Sequence, residues 1–249
     1  MTPDLSPLDA ETERLLAEVS SATLATVLFV HGLRNQVLLG VRRLRPGGPR
    51  MVGVARTLRY IAARDDLETL ELWKRDDNPQ RRIADEIDPG QVLVIDARGE
   101  QRSGTMGGML VARMQARGAA GIVSDGPFRD GPFIAGLEMP SYASGYNANT
   151  NLVAHHPEDL DLAITCGGVQ VRPGDVVYGD DESVVIIPRH LARDVAREAL
   201  AKEREEAWIE EQILAGATVK GTYPMSPETR ERYERERREA EAPEQRRER

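Results

Sequence analysis

The sequence predicts an α/β domain with helical arms at both ends, and three observations support this fold class. Short runs of Val, Ile and Leu bounded by Gly, Pro or Asp indicate buried strands, as in QVLVID at residues 91–96. Segments with helical spacing of apolar residues alternate with these strands, which is typical of α/β folds. Both ends of the chain have helical spacing, and from Glu198 onward Glu and Arg are abundant.

The length and composition suit one main domain with two appended segments. A chain of 249 residues allows one large domain or two small ones. Hydrophobic residues make up 40% and aromatic residues only 4%, so the core must consist mostly of Val, Leu, Ile and Ala. We expect an N-terminal arm over residues 1–18, an α/β domain over residues 19–215 and a charged tail over residues 216–249.

The charge and the cysteine count restrict partners and location. The formal net charge of -8 argues against a nucleic-acid-binding surface. The single cysteine, Cys166, cannot form an intrachain disulfide, which fits a reducing compartment, and its apolar surroundings indicate a buried structural thiol. The N-terminus lacks a basic-then-apolar signal pattern, and no apolar run approaches the ~20 residues that span a bilayer. We expect a cytoplasmic protein with neither nucleic acid nor membrane as partner.

The elements predicted up to residue 95 follow apolar spacing and are bounded by Gly, Pro, Ser or Asp. They are helices over residues 8–19, 23–31, 66–73 and 83–87, and strands over residues 37–41, 52–60 and 92–95. Ser20 and Ser21 offer an N-cap to the second helix, and Gly32 ends it. Asp96 follows the last of these strands, at the sheet edge where ligands gather in α/β folds.

The elements predicted after residue 120 are short strands followed by a long helix. They are strands over residues 121–123, 163–166 and 169–171, a hairpin within RPGDVVYGDDESVVIIP, and a helix over residues 189–214. The segment MPSYASGYNANTNL, residues 139–152, is predicted to be a loop because it is rich in Ser and Asn. The tail from residue 228 is charged and low in complexity, which indicates a frayed helix or disorder.

The stretch GTMGGMLVARMQARGAAGIVSDGPFRD, residues 104–130, is the most informative part of the sequence. Gly107 and Gly108 precede a helix, where backbone amides and the helix dipole can hold an anion. Arg129 and Asp130 follow a strand, and a guanidinium beside a carboxylate can hold a planar anion and a hard metal ion together. On spacing alone, a plain crossover with a solvated Arg–Asp pair remains an equal alternative.

Other chemistries have less support in the sequence. No H-x-x-x-H spacing, G-x-S-x-G elbow or P-loop lysine is present, and the acidic run at residues 180–182 suits a solvated turn. The remaining candidate is the Arg129–Asp130 pair with the glycine loop, with Asp96 as an additional contributor. Such a site suits a small 2-oxo acid, because a metal ion and a guanidinium can polarise the keto oxygen and stabilise an enolate. This is the chemistry of class II pyruvate aldolases and β-keto acid decarboxylases.

Several segments, taken together and in order, resemble the RraA-like family. They are SSATLATVLFVHGLRNQ, MVGVARTLRY, PGQVLVID, GGMLVARMQARGAAGIVSDGPFRD, CGGVQVRPGDVVYGDDESVVIIP and the helix that follows, and they cover residues 19–207. The family contains the regulator of ribonuclease E activity A and class II 4-hydroxy-4-methyl-2-oxoglutarate aldolases. The resemblance implies a swivelling β/β/α fold that assembles as a homotrimer or hexamer, with active sites at subunit interfaces.

The resemblance also implies roles for the residues of the informative stretch. It assigns binding of the pyruvyl group to the backbone amides of Gly107, Gly108, Met109 and Leu110. It assigns substrate binding and catalysis to Arg129, and binding of Mg²⁺ or Mn²⁺ to Asp130. In the ribonuclease regulators this aspartate is typically replaced, so Asp130 favours the enzyme branch.

This sequence departs from the aldolase pattern in two places. Aldolases of the family usually carry an acid at the position of Gly108, so its absence puts cleavage of the usual substrate in doubt. The hairpin has Glu182-Ser183 where the family usually has Asp-Gly, which affects only a turn. A carboxylate from the C-terminal helix of a neighbouring subunit, Glu203 or Glu206, is expected to complete the site.

Two further functions stay open on the sequence. A non-catalytic protein that binds and inhibits ribonuclease E fits the charged tail and the loss of an acid at Gly108. A related sugar-acid lyase or hydratase would use arginines such as Arg56 and Arg59 to enlarge the anionic pocket. The leading interpretation is a divalent-metal-dependent lyase acting on a small 2-oxo acid.

Overall fold

The computed structural model describes residues 3–241. The chain divides into two compact units, with the boundary between Arg197 and Glu198. The expected division at residues 18 and 215 stays a prediction, and the part of the charged tail after residue 241 lies outside the described residues. Within residues 3–241, no helix combines the length and the apolar character that crossing a membrane requires.

A mixed sheet of eight strands forms the framework of the first unit, and two more strands pair as a hairpin. The strands are β1 (Arg42–Arg43), β2 (Met51–Ala62), β3 (Gln91–Asp96), β4 (Gly121–Ser124), β5 (Ser141–Ala143), β6 (His155–Leu160), β7 (Ile164–Cys166), β8 (Val169–Val171), β9 (Val176–Gly179) and β10 (Val184–Ile187). The sheet order is β1-β5-β4-β3-β2-β9-β10, with β6 also paired to β2, while β7 and β8 form the hairpin.

Helices flank this sheet in the first unit and make up most of the second. They are α1 (Ala10–Ala17), α2 (Ser21–Val30), α3 (Leu70–Trp73), α4 (Pro79–Glu86), α5 (Gly108–Ala116), α6 (Gly131–Ala135), α7 (Ala192–Leu214), α8 (Val219–Thr222) and α9 (Pro227–Glu241). Helix α7 continues from the first unit into the second. The predicted α/β class with helical segments near both ends of the described chain is confirmed.

The central strand β3 shows why the core has two sides. Its neighbours β2 and β4 pair with it in parallel, and its residues are buried on both faces. Because strand side chains alternate, Leu93 and Ile95 join the cluster under α4 and α5, while Val92 and Val94 join the cluster against the hairpin. Each such side chain stabilises the fold by roughly 1.5–3 kcal/mol relative to exposure. Cys166 is buried in the second cluster, and this burial raises its pKa, as expected of a structural thiol.

Strand β5 lies where the sequence predicts a loop, and β6 lies where the sequence predicts no strand. Strand β5 falls within the Ser- and Asn-rich segment and pairs in parallel with β4. Strand β6 carries adjacent histidines and Pro157, which lacks a backbone donor. It pairs with β2 across a register shift between Arg59 and Tyr60, and Pro157 lies opposite Tyr60 at this irregularity. A proline at a β-bulge leaves the backbone hydrogen bonds between the two strands intact on either side of it. The pattern of residue types along the sequence does not show where such a bulge lies.

The predicted strand over residues 37–41 is wrong in extent. Only Val37 forms an isolated bridge, to Val185, and the adjacent strand begins at Arg42. Gly40 has a φ of 74°, which interrupts an extended conformation. The predicted helix over residues 66–73 is likewise shorter, at Leu70–Trp73.

Candidate functional site

Two loops meet at the carboxyl ends of adjacent parallel strands. One loop follows β3 and leads into α5, and the other follows β4 and leads into α6. Backbone hydrogen bonds join them: Thr105 N donates to Pro127 O at 2.8 Å, and Arg129 N donates to Met106 O at 3.0 Å. The fold therefore brings the glycine loop and the Arg129–Asp130 turn together, at the position where ligands bind in α/β sheets.

Glycine is required at position 104, where these loops cross. A Cβ on Gly104 would lie 2.6 Å from the backbone nitrogen of Arg129, closer than a real contact allows. A Cβ on Gly108 would lie 2.5 Å from the ring of Phe133. The ring of Phe133 thus fills the space that any side chain at position 108 would enter.

The carboxylate of Asp130 is held against the N-terminus of α5. Asp130 has φ 59° and ψ 34°, a left-handed conformation that non-glycine residues adopt at an energetic penalty. Although it occupies the N-cap position of α6, its side chain does not cap that helix. Instead Gly108 N donates to Asp130 Oδ2 at 3.0 Å. The strained backbone therefore directs the carboxylate toward the other loop.

Arg129 lies beside this carboxylate without bonding to it. The distance from Arg129 Nε to Asp130 Oδ1 is 3.8 Å, too long for a hydrogen bond, and the two side chains are 49% and 46% exposed. Among residues 3–241, no acceptor takes a hydrogen bond from the Arg129 guanidinium. Its planar set of donors is therefore available to a carboxylate or a keto oxygen.

The N-terminus of α5 offers further donors. Gly107 is the N-cap and makes no side-chain capping bond, and the first helical bond runs from Val111 N to Gly107 O at 3.3 Å. The amides of Met109 and Leu110 therefore have no acceptor four residues earlier within the helix. Because the Gly108 amide binds Asp130, these two amides are the ones best placed to receive an anion.

A cavity of about 300 Å³ opens over these groups. Its polar part includes Gly107, Arg129, Asp130 and Asn151. Its remaining wall is mostly apolar, and is formed by Leu70, Trp73, Met106, Met109, Leu110 and Leu152. Of the six residues to which the resemblance assigns substrate or metal binding, at positions 107–110, 129 and 130, all except the buried Gly108 line this cavity.

A buried glutamine under the cavity is a functional candidate that the sequence did not reveal. Gln80 Nε2 donates to Thr105 O at 2.7 Å. Gln80 Oε1 accepts from Asn151 Nδ2 at 3.1 Å and from Trp73 Nε1 at 3.3 Å. The Gln80 side chain therefore links the glycine loop to Trp73 and Asn151, which line the cavity. Nothing in the local pattern around Gln80, which lies in the first turn of α4, connects it with residues 104–130.

A second buried side chain, that of Tyr60, binds the same carbonyl oxygen of Thr105. Tyr60 Oη donates to Thr105 O at 2.7 Å, and its ring packs on His155 with centroids 4.9 Å apart. Burial lowers the pKa of His155 to about 4, assisted by the nearby Arg98 charge. The imidazole is therefore neutral at neutral pH and acts as packing for Tyr60.

Three residues considered from the sequence lie outside this cavity. Asp96 lines a separate cavity with Asp125, whose pKa is raised by burial and by the charge of Asp96. Arg56 is bound to Asp161, and Arg59 is bound to Asp159. Neither arginine enlarges the anionic part of the candidate site.

The donors in the cavity fit a hard cation that keeps most of its water. Asp130 is the one carboxylate among the described residues that line the cavity. Residues 3–241 contain no group of three or more His, Cys, Asp or Glu side chains arranged to hold a metal. Zn²⁺ in protein sites uses three or four protein ligands, whereas Mg²⁺ is commonly held by one or two carboxylates together with substrate and water. Asp130 with an open cavity fits the second type.

The fold and the site define a class: an α/β protein in which a helix N-terminus lies beside an Arg–Asp turn, at the ends of parallel strands. The chain belongs to the RraA-like family, described as Aldolase/RraA, whose sequence pattern matches residues 16–186. The predicted family and its α/β fold are thereby confirmed.

Several sequence relatives carry an aldolase name. A protein of Halalkalibacterium halodurans named "Putative 4-hydroxy-4-methyl-2-oxoglutarate aldolase" is 31% identical over 166 residues, 66% of this chain and 71% of that protein. A Pseudomonas aeruginosa protein of the same name is 32% identical over 124 residues, 47% of this chain and 71% of that protein. These names support an aldolase-type role in the family.

Several solved structures share the fold. Streptomyces coelicolor RraAS2, described as an unusual member of the RNase ES inhibitor RraA family, is 33% identical with a TM-score of 0.72. The match covers 82% of this chain and 98% of that one. An uncharacterized Pseudomonas syringae protein, 22% identical, has a TM-score of 0.77 over 90% of this chain and 97% of its own, and shows the fold alone. The family thus includes both aldolase-type and RraA-type proteins.

Proposed function

We propose that this protein is a divalent-metal-dependent lyase acting on a small 2-oxo acid. The reaction is retro-aldol cleavage of a 4-hydroxy-2-oxo acid, decarboxylation of oxaloacetate, or both, through a pyruvate enolate. The observation that carries the proposal is the Asp130 carboxylate bound to Gly108 N, with the unbonded Arg129 guanidinium beside it in the cavity. The aldolase names of the relatives support the same chemistry.

Each polar group has a role in this proposal. The amides of Met109 and Leu110 bind the substrate carboxylate at the N-terminus of α5. Arg129 donates to the keto oxygen and stabilises the negative charge that develops there when the carbon–carbon bond breaks. Asp130 is the protein ligand for Mg²⁺ or Mn²⁺, which supplies Lewis-acid polarisation of the substrate when bound. Gln80 holds the loop that presents these amides.

The remaining parts of the proposal concern assembly and location. We propose a cytoplasmic homotrimer or hexamer, in which Glu203 or Glu206 of a neighbouring subunit completes the site. Light scattering in solution measures the oligomeric state directly. The absence of a side chain at Gly108 means that proton transfer from that position, usual in the family's aldolases, is not available here, and Phe133 occupies the space.

The test is pyruvate release from oxaloacetate and from 4-hydroxy-4-methyl-2-oxoglutarate, with Mg²⁺ or Mn²⁺ and after chelation. Asp130→Asn should lower kcat/KM by about 10²–10³-fold, the loss typical when one charge-stabilising group is removed from an active site. Asp88→Asn is the matched control, since Asp88 is exposed in the turn that precedes β3. Mn²⁺ should raise the melting temperature of the wild type and the control, but not of Asp130→Asn.

A second candidate is a non-catalytic protein that binds and inhibits ribonuclease E. The similarity to the Streptomyces coelicolor RraA-family protein favours it. Inhibition of ribonuclease E that survives Asp130→Asn, without pyruvate release from any of a panel of 2-oxo acids, would establish this candidate and overturn the lyase. The sugar-acid lyase or hydratase loses its main argument, because Arg56 and Arg59 are both bound in ion pairs.

A further inference from the structure

The cavity has an apolar wall that the proposed chemistry of the pyruvyl group does not use. Leu70 and Met109 are 60% and 71% exposed, and both line the cavity. Trp73, Leu110 and Leu152 continue this wall. An apolar wall opposite a few polar groups is typical of a site that binds a ligand with one polar and one apolar end.

The charges of the cavity are confined to its polar part. Arg129 is the one cation among the described residues that line the cavity. Arg81 packs on the Trp73 ring at 5.3 Å, but its guanidinium donates to Lys74 O at 2.7 Å and does not line the cavity. If Arg129 serves the pyruvyl end, a second carboxylate at the far end of a substrate would meet apolar side chains of this subunit instead of a cation. Loss of hydration without a partner penalises such a charge.

Trp73 is fixed in place at the apolar end. Its indole Nε1 donates to Gln80 Oε1, the same oxygen that accepts from Asn151. Because the indole nitrogen is bonded to the floor of the cavity, the orientation of the ring is set before a ligand arrives. A rigid aromatic side chain binds an apolar group with little loss of conformational entropy.

We infer that the site takes 4-hydroxy-2-oxo acids whose C4 carries an apolar alkyl or aryl group, in preference to a second carboxylate. This inference rests on the proposed function for the pyruvyl end. In cleavage the C3–C4 bond breaks and its electron pair forms the enolate of pyruvate. The C4 hydroxyl loses its proton to water and becomes the carbonyl of an apolar aldehyde or ketone. Protonation of the enolate at C3 then gives pyruvate.

Ligands that cannot be cleaved test the preference without catalysis. The chain has two tryptophans, so Trp208→Phe leaves Trp73 as the sole indole, and its fluorescence reports on the cavity. We expect 2-oxo-4-phenylbutanoate to bind at least about tenfold more tightly than 2-oxoglutarate in the presence of Mg²⁺, a ratio within the range of hydrophobic pocket selectivity. Both ligands lack a C4 hydroxyl and therefore resist retro-aldol cleavage.

A matched pair of variants at the exposed Leu70 sharpens this test. Leu70→Arg places a cation on the apolar wall and should move the binding ratio toward 2-oxoglutarate by about tenfold, while Leu70→Met should leave the ratio unchanged. Equal or tighter binding of 2-oxoglutarate by the Trp208→Phe protein, or no binding of either ligand, overturns the inference. Pyruvate release tests the proposed function separately. If the protein prefers 2-oxo-4-phenylbutanoate but releases pyruvate from no substrate, the lyase proposal is contradicted, while the inferred preference for ligands with an apolar end is supported.

Discussion

Two Arg–Asp pairs in the first unit have the same chemistry and opposite surroundings. Arg56 is 7% exposed, and its Nε and Nη2 donate to the two carboxylate oxygens of Asp161 at 2.8 Å and 2.7 Å. Arg129 and Asp130 are both about half exposed, and their nearest charged atoms are 3.8 Å apart. We call the first pair closed, because its two side chains bond each other, and the second pair open, because the Arg129 guanidinium donates no hydrogen bond within residues 3–241.

This difference shows which features identify a binding site and which do not. Both aspartates have a left-handed backbone, with φ 57° at Asp161 and φ 59° at Asp130. Backbone strain alone therefore does not separate the structural pair from the candidate site. What separates them is that the Arg56 donors are taken by protein acceptors, including Gln91 Oε1 at 3.3 Å, whereas the Arg129 guanidinium faces an open cavity.

The largest expected effect comes from breaking the closed pair. Asp161→Asn removes the charge opposite a buried guanidinium and should lower the free energy of unfolding by about 3 kcal/mol. Asp130→Asn should change it by less than about 1 kcal/mol, since an exposed side chain is altered and Asn tolerates a left-handed backbone. Urea unfolding of both variants measures the two values. Equal losses would mean that the Arg129–Asp130 pair is also structural, and would remove the main reason for placing a site there.

An intermediate loss of stability is expected when Gln80 is replaced. Gln80 is buried, as Arg56 is, but it holds the glycine loop beside Arg129 and Asp130. Gln80→Leu leaves the indole of Trp73 and the amide of Asn151 without their acceptor, at a penalty of about 1–3 kcal/mol. The loop it holds should then shift, and kcat/KM for pyruvate release should fall about tenfold or more, in line with the sensitivity of catalysis to small displacements.

Gln115→Leu is the control for this prediction. Gln115 Oε1 accepts from Met139 N at 2.9 Å, so its removal also breaks a partly buried hydrogen bond, near the end of α5 that faces away from the cavity. This variant should lose stability while its kcat/KM stays close to that of the wild type. Parallel losses of activity in both variants would show that Gln80 acts on stability alone.

The comparison of the two pairs also shows how far the sequence determines the site. Residues 104–130 predicted the glycine loop, the helix and the Arg–Asp turn because these lie close together along the chain, where local signals are strong. Strand β3 was predicted within two residues because its continuous apolar run is typical of a strand covered on both faces. The residues that lie together in this candidate site could therefore be proposed from the sequence alone.

Contacts between distant segments were not accessible. Gln80 lies 25 residues from Thr105 along the chain, and only the fold shows that its amide holds the glycine loop. Asp96 lies at the carboxyl end of β3 as expected, yet it lines another cavity together with Asp125, because residues at one sheet edge need not point to the same space. The ion pair of Arg56 with Asp161 joins residues 105 positions apart, and a sequence pattern carries no sign of it.

The smallest expected effect concerns a third pair, Arg59–Asp159, which lies between the other two in exposure. Arg59 is directly opposite Asp159 across β2 and β6, and the two side chains are 41% and 30% exposed. Because solvent screens such a pair, Arg59→Met should shift the urea midpoint by less than about a third of the Asp161→Asn shift. Added salt should reduce this shift further, while the Asp161→Asn shift should persist, since the pair it breaks is buried. A shift in the Arg59→Met variant as large and as insensitive to salt as in Asp161→Asn would show that solvent exposure does not determine how much these ion pairs stabilise the fold. The distinction between closed and open pairs would then rest on hydrogen-bond geometry alone.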